Sequence, residues 1–165
     1  MSEIKVIYGS TSGNTEVAAQ KIAEKLGGVC INIADAKPDD FSGKLLIFGT
    51  STWGFGELQD DWESGIDKLT KETLTGKKVA LFGLGDQAGF GETFIDGIGT
   101  LFNKILECEA EVVGKWSTDG YDFSVSTADL GGVFAGLALD NDNEPEQTDS
   151  RIEQWVTLLK KETGL

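Results

Sequence analysis

Short apolar runs rich in branched residues alternate along this chain with longer segments in which apolar residues recur every three or four positions. The first pattern belongs to strands buried on both faces and the second to helices that cover them, which predicts an α/β protein on a parallel sheet. Strands are predicted at 4–8, 29–33, 45–49, 79–83 and 112–116, each flanked by glycine or polar residues. Helices are predicted over 15–26, where Ala18, Ile22 and Leu26 share a face, and over 92–108, where Phe94, Ile98, Leu101, Phe102, Ile105 and Leu106 form one stripe. At the C-terminus Ser150 and Glu153 read as a capping box for a helix burying Ile152, Trp155, Val156 and Leu159. Five strands with short connections suit a doubly wound sheet of order 2-1-3-4-5 with helices on both faces. Pro38 and Pro145, the only prolines, fall in connections, and no repeat or low-complexity tract appears. With 165 residues, 39% of them hydrophobic, one core and one domain over 1–165 are expected.

Composition removes several functions. The chain has no histidine, and its two cysteines, Cys30 and Cys108, show no metal-ligand spacing, so imidazole chemistry and most transition-metal sites are excluded and no metal or catalytic residue is assigned. The chemistry then falls to a cofactor. A net charge of −14 argues against nucleic acid and anionic membrane and favours a partner with a basic face, although acidity also serves plain solubility. No apolar stretch is long enough to span a bilayer, and Met1-Ser2-Glu3-Ile4 lacks a signal-peptide pattern, so a cytoplasmic monomer with free thiols is expected.

In a doubly wound sheet, ligands sit at the carboxyl ends of the strands, which directs attention to three loops. The first is Ser10, Thr11, Ser12, Gly13, Asn14 and Thr15, directly before a helix. Hydroxyls, glycine backbone and a helix N-terminus suit a phosphate, although the same composition makes ordinary helix caps. The GxxxxGK loop of nucleoside triphosphatases and the GxGxxG of dinucleotide folds are both absent. The second loop, 50–62, carries Trp53, and the third, 84–91, carries Phe90. Each aromatic alone could be a packing plug; two at neighbouring strand ends could bracket a planar ring.

In this combination the chain resembles the flavodoxins. The resemblance rests on the 10–15 loop, on the T-W-G-x-G-E-L-Q-x-D-W stretch from Thr52 to Trp62, and on the G-L-G-D-Q-x-G segment from Gly83 to Gly89. The stretches 116–123 and 136–143 are similar to the insertion and resumed strand of the long-chain type, which places an insertion at about 117–133. The resemblance implies FMN, with its phosphate on Ser10, Thr11, Ser12, Gly13, Asn14 and Thr15 and with Thr52 at the ribityl chain or phosphate. It places Trp53 on one ring face within the turn Trp53, Gly54, Phe55 and Gly56, and backbone of Leu84, Gly85, Asp86, Gln87 and Gly89 at the pyrimidine edge. Asp142 would lie near the ribityl hydroxyls. Phe90 stands where flavodoxins usually have tyrosine, so stacking is retained and the hydroxyl lost. The implied function is low-potential one-electron carriage, mainly between neutral semiquinone and hydroquinone. The implied partners are redox proteins such as ferredoxin–NADP reductase, pyruvate oxidoreductase or nitrogenase.

The residues also bear on potential. Segments 10–15, 52–62 and 84–91 contain no Lys or Arg, while Glu57, Asp60, Asp61 and Asp86 add negative charge. Each carboxylate at roughly 10 Å contributes on the order of 1 kcal/mol or less, and several together make the reduced protein a strong reductant. Gly54 could flip its following peptide cheaply, by resemblance toward flavin N5, or could serve turn geometry alone. Glu57, Asp60, Asp61, Glu63, Asp86, Asp119 and Asp122 read as loop residues near the flavin edge and as a docking surface. Asp140, Asp142, Glu144, Glu146 and Asp149 read equally well as solvated surface. A flavin-dependent quinone reductase of the same fold is the alternative. A receiver-type signalling domain is excluded, since Thr50, Ser51 and Thr52 occupy the end of the third strand where it needs an aspartate.

Overall fold

The computed structural model describes residues 3–53 and 55–165. In chain order the elements are β1 (Ile4–Tyr8), α1 (Asn14–Leu26), β2 (Val29–Asn32), β3 (Leu45–Trp53), β4 (Glu57–Leu58), α2 (Asp60–Gly65), α3 (Lys71–Leu74), β5 (Lys78–Leu84), α4 (Asp96–Glu107), β6 (Glu111–Val113), β7 (Trp116–Ser117), β8 (Val133–Phe134), β9 (Leu137–Leu139) and α5 (Thr148–Thr163). The main sheet runs β2-β1-β3-β5-β6, with β9 also beside β5 and the short β4 antiparallel to the end of β3. This is the expected doubly wound order. Val6 lies between Cys30 and Ile47, and the β3–β5 ladder extends from Leu45 opposite Lys78 to Ser51 opposite Leu84.

The central strands read as unbroken apolar runs because both faces are covered. Ile7, Leu46, Phe48, Val79 and Leu81 face one way, into a core with Trp62, Leu74, Ile98, Leu101 and Ile105. Val6, Leu45, Ile47, Ala80 and Phe82 face the other, against Ala18 and Ile22 of α1 and Ile152, Trp155 and Leu159 of α5. Truncating one of the buried aromatics to alanine costs about 3–5 kcal/mol. Among the described residues no helix is long and apolar enough to cross a membrane.

The structure corrects several predicted elements. β3 continues four residues beyond 49, so the end of this strand itself forms one wall of the cleft described below. β2 stops at Asn32, whose side-chain oxygen accepts the Ala34 N–H and starts a 3-10 turn that takes Ile33 out of the strand. The 92–108 helix begins only at Asp96, because Ile95 adopts a left-handed conformation (φ 48°) that breaks the helical run; Phe94 is buried ahead of it, and Leu106 is 48% exposed. The Ser150 capping box is absent. α5 starts at Thr148 after Gln147, and Ser150 lies inside it, its hydroxyl oxygen accepting from Gln154 Nε2. Helices α2 and α3 had too few apolar positions to show a period.

The fifth position of the sheet is shared. β6 pairs with Lys78–Ala80 of β5 and β9 with Phe82–Leu84. Between them Gly114 turns left-handed (φ 75°), its N–H held by Glu162 Oε1 at 2.7 Å and its carbonyl by Trp155 Nε1 at 2.7 Å. A β-carbon there would fall 2.8 Å from Leu159 Cδ2, so only glycine suits this corner. The chain leaves the sheet at that point. Trp116, predicted as the last residue of the fifth strand, instead pairs with Phe134 in a separate β7–β8 ribbon.

Candidate functional site

At the carboxyl ends of β1, β3 and β5 lies a cleft of 380 Å³. Ser12, Asn14 and Thr15 form one end, and Thr52, Trp53, Leu84, Gly85, Asp86, Phe90 and Asp142 line the rest. These residues, singled out from the three loops and from the 136–143 stretch, come together. Ser10, Thr11 and Gly13 shape the first loop from behind: Gly13 N–H donates to Ser10 Oγ at 3.1 Å, and Gln59 Nε2 donates to Thr11 Oγ1 at 3.1 Å. Gly56 lies outside the cleft walls, and Gly54 lies outside the described residues.

The first end of the cleft presents a helix N-terminus, with no Lys or Arg among its described lining residues. Helix geometry leaves the N–H groups of the first turn of α1 without intrahelical partners, and the helix dipole adds partial positive charge there. Ser12, Asn14 and Thr15 line the cleft at the same place. At the other end are two aromatics that a soluble protein would ordinarily cover: Trp53 is 43% and Phe90 52% exposed. The Trp53 indole N–H donates to Ser51 Oγ at 2.9 Å, which fixes the ring plane. Thr52 Oγ1 accepts the Gly97 N–H at 2.8 Å, so this hydroxyl oxygen anchors the start of α4 while lining the cleft. A cleft with an anion-binding end and an aromatic end fits a phosphorylated planar ligand.

The loop after β5 is the most heavily tied part of the site. Asp86 Oδ1 accepts the N–H groups of Ala88 at 3.1 Å and Gly89 at 2.7 Å and the Asn143 Nδ2 at 2.7 Å. Those bonds hold its carboxyl below the usual carboxylate range. Partial desolvation, then the charges of Asp86 and Asp140, push the neighbouring Asp142 carboxyl up. Gln87 turns away from the cleft. With Gly89 and Phe55, which is 92% exposed, it lines a neighbouring groove of 910 Å³ that shares Phe90.

Other expectations change. Asp140 is fully buried rather than solvated and accepts from Gln87 N, Gln87 Nε2, Asp142 N, Asn143 N and Asn143 Nδ2. Glu144 is also partly buried, and its bonds from Gln87 and Arg151 hold its carboxyl low. Asp60, Asp61 and Glu63 lie on α2, not in a loop, because the Gln59 side-chain oxygen accepts the N–H groups of Asp61 and Trp62 and starts the helix. Glu57 belongs to β4. Sequence reasoning missed Gln59, which joins α2 to the 10–15 loop; its signal was an amide directly before a carboxylate-rich first turn. It also missed Ser51, Thr93, Phe94, Ile95 and Asn141 as cleft residues, since nothing in their local sequence marks them.

A doubly wound sheet with this cleft at its carboxyl edge defines an α/β protein that binds a phosphorylated aromatic cofactor outside its strand ends. Comparison with known proteins makes this specific. The chain matches the Flavodoxin family over residues 6–155. It is 46% identical over 172 residues to a flavodoxin of Trichodesmium erythraeum, covering 100% of both chains. It is 41% identical to flavodoxin 1 of Azotobacter vinelandii, covering 98% of each. Among solved structures, Fusobacterium nucleatum flavodoxin bound to flavin mononucleotide superposes with a TM-score of 0.89 at 35% identity, covering 96% of this chain and 97% of that one. The chain belongs to the flavodoxin family, and it is an electron-transfer protein rather than an enzyme.

Proposed function

We propose that this protein carries single electrons at low potential on non-covalently bound FMN, held in the 380 Å³ cleft. The observation that carries the reading is the meeting, in one cleft, of a cation-free helix N-terminus with two half-exposed aromatics. Ser12, Asn14 and Thr15, with the backbone of the first turn of α1, hold the phosphate, while Ser10, Thr11 and Gly13 keep the loop in shape. Trp53 and Phe90 cover the ring faces. Backbone of Leu84, Gly85 and Asp86 meets the pyrimidine edge, and Thr52 and Asp142 flank the ribityl chain. FMN, when bound, supplies the one-electron chemistry. The residues around it supply binding, orientation and a negative field, because the loops that line the cleft carry Asp86 and Asp142 and no Lys or Arg. That field disfavours an anionic reduced cofactor and lowers the potential.

The partners are redox proteins with basic docking faces, of the ferredoxin–NADP reductase, pyruvate oxidoreductase or nitrogenase kind. Support comes from Phe55, exposed beside the acidic groove of Glu92, Asp122 and Glu144. Association should slow as ionic strength rises. Residues 117–133 form the insertion of the long-chain type, supported by the division of the fifth sheet position between β6 and β9. Two free thiols, on half-buried Cys30 and buried Cys108, suit a reducing cytoplasm.

Stepwise anaerobic reduction of the purified protein, followed in the visible spectrum with electrons counted, tests the central reading. A yellow protein reduced in two separate one-electron steps is the expected result. A colourless protein that FMN does not reconstitute would overturn it, and one concerted two-electron step would point to a reductase.

A further inference from the structure

We propose that Arg151 is a positioning residue for the loop at 85–90, acting through Glu144 and Gln87 to set how firmly the ring end of the cleft is built. The inference rests on the reading of that cleft as the FMN site. Arg151 lies in α5, away from the cleft, and only 9% of it is exposed. A buried guanidinium is costly unless paired. Its Nη2 donates to Glu144 Oε1 at 3.0 Å, and its Cζ lies over the Tyr121 ring, 4.2 Å from the centroid. Its buried Nη1 has no hydrogen-bond partner. An orphaned donor of this kind weakens the fold, so stability alone would be served better by an apolar side chain here.

The arrangement around Gln87 supplies the reason. Gln87 Nε2 donates both to Glu144 Oε1 at 2.6 Å and to Asp140 Oδ2 at 2.8 Å, so two carboxylates converge on one amide nitrogen. Arg151 is the cation that lets both stay. The Gln87 side-chain oxygen accepts the Asp122 N–H at 2.6 Å, and its backbone N–H reaches Asp140 at 3.1 Å. Gln87 is thus fixed at both its side chain and its backbone, immediately after the Asp86 turn that lines the cleft. Without Arg151 the carboxylates repel, Glu144 turns outward, and the loop loses one of its ties.

Apoprotein carrying Arg151→Met, Glu144→Gln or both is titrated with FMN, with lumiflavin, which has the ring alone, and with inorganic phosphate. Arg151→Met is expected to weaken FMN and lumiflavin alike by about tenfold, the size of one lost charge-assisted hydrogen bond, and to leave phosphate affinity at the wild-type value. The double variant, relieved of the converging charges, is expected to be less impaired than the two single losses combined. Arg151→Lys is expected to recover part of the loss by restoring the charge. A lowered melting temperature with unchanged affinity for both ring ligands would make Arg151 merely structural and overturn the proposal, as would a parallel loss of phosphate affinity. If Arg151→Met does not fold, Glu144→Ala alone decides, since it removes the acceptor for both Arg151 Nη2 and Gln87 Nε2: unchanged ring affinity overturns the coupling. Failure of the wild-type protein to bind FMN would instead overturn the cofactor reading.

Discussion

The two ends of the cleft are built on opposite principles. The 10–15 loop has few side-chain ties: the Gly13 N–H donates to the Ser10 hydroxyl oxygen, and Gln59 Nε2 donates to Thr11. The 84–91 loop is tied by Asp86 within itself, by Asp140 and Asn143 after β9, by Asp122 in the inserted segment, and through Glu144 to α5. The difference follows from the ligand groups proposed for each end. A phosphate is compact and is recognised by dipoles that a helix N-terminus supplies already aligned, so the loop needs only to add a few hydroxyl and amide groups beside them. A planar ring is recognised along an edge and a face, and a loop that wavered would lose both.

That contrast is open to test, beginning with the largest expected effect. At Gly9, a β-carbon would fall 2.1 Å from Gln59 Oε1 and 2.8 Å from Trp62 Cδ1. Gly9→Val should therefore displace the anchor behind the phosphate loop and cost about 1–3 kcal/mol of apoprotein stability, measured by urea denaturation. Phosphate affinity should be lost with it. Gln59→Leu removes the cap of α2 and the tie to Thr11 together, and about 1–2 kcal/mol of stability should go. FMN should bind more weakly while lumiflavin binds as before; equal losses for both would blur the two-ended picture.

At the ring end, Asn143→Ala removes one donor to Asp86 and one to Asp140. A stability loss of about 1 kcal/mol is expected, with lumiflavin and FMN weakened equally. The smallest effect concerns pH. Asp86 and Glu144 have carboxyls held low in the folded protein, so the unfolded chain binds protons more readily at both. Their stabilisation is present above the unfolded carboxyl value and is lost as pH falls through the folded one. Asp142, pushed up, has the opposite sign: its contribution favours the folded state below the ordinary value and fades as pH rises through the folded one. Glu144→Gln should flatten the acid side of the stability curve, where pH falls below the ordinary carboxyl value, measured by denaturant titration at each pH. An unaltered acid limb would show that Glu144 is not one of the groups responsible.

Much of this was legible in the chain. The apolar runs named the sheet and its order because strands covered on both faces leave no polar alternation to mislead. The 10–15 loop, Trp53 and Phe90 stood out in combination, because a cap-like loop and two loop aromatics, each open to a plain structural reading, fall together at the carboxyl ends of neighbouring strands. Other parts were hidden. Asp140 read equally well as solvated surface, and Arg151 drew no reading at all, since a charged letter carries no sign of being buried; only the convergence of Gln87, Asn143 and Glu144 shows why burial is tolerated. The Ser150 capping box was a false signal, because the helix had already begun two residues earlier.

What the sequence determined alone was local and periodic: the α/β class, the strand order, the hydroxyl- and glycine-rich 10–15 loop ahead of a helix, and the absence of Lys and Arg in segments 10–15, 52–62 and 84–91. Those features follow from neighbours along the chain, where spacing and residue type suffice. The tertiary structure alone decided where the fifth strand breaks, at Gly114 against Trp155 and Leu159, and which charges stand behind the ring-facing loop. These depend on contacts between residues far apart in sequence, such as the 57 positions that separate Gln87 from Glu144, and no local pattern encodes which distant partner will arrive.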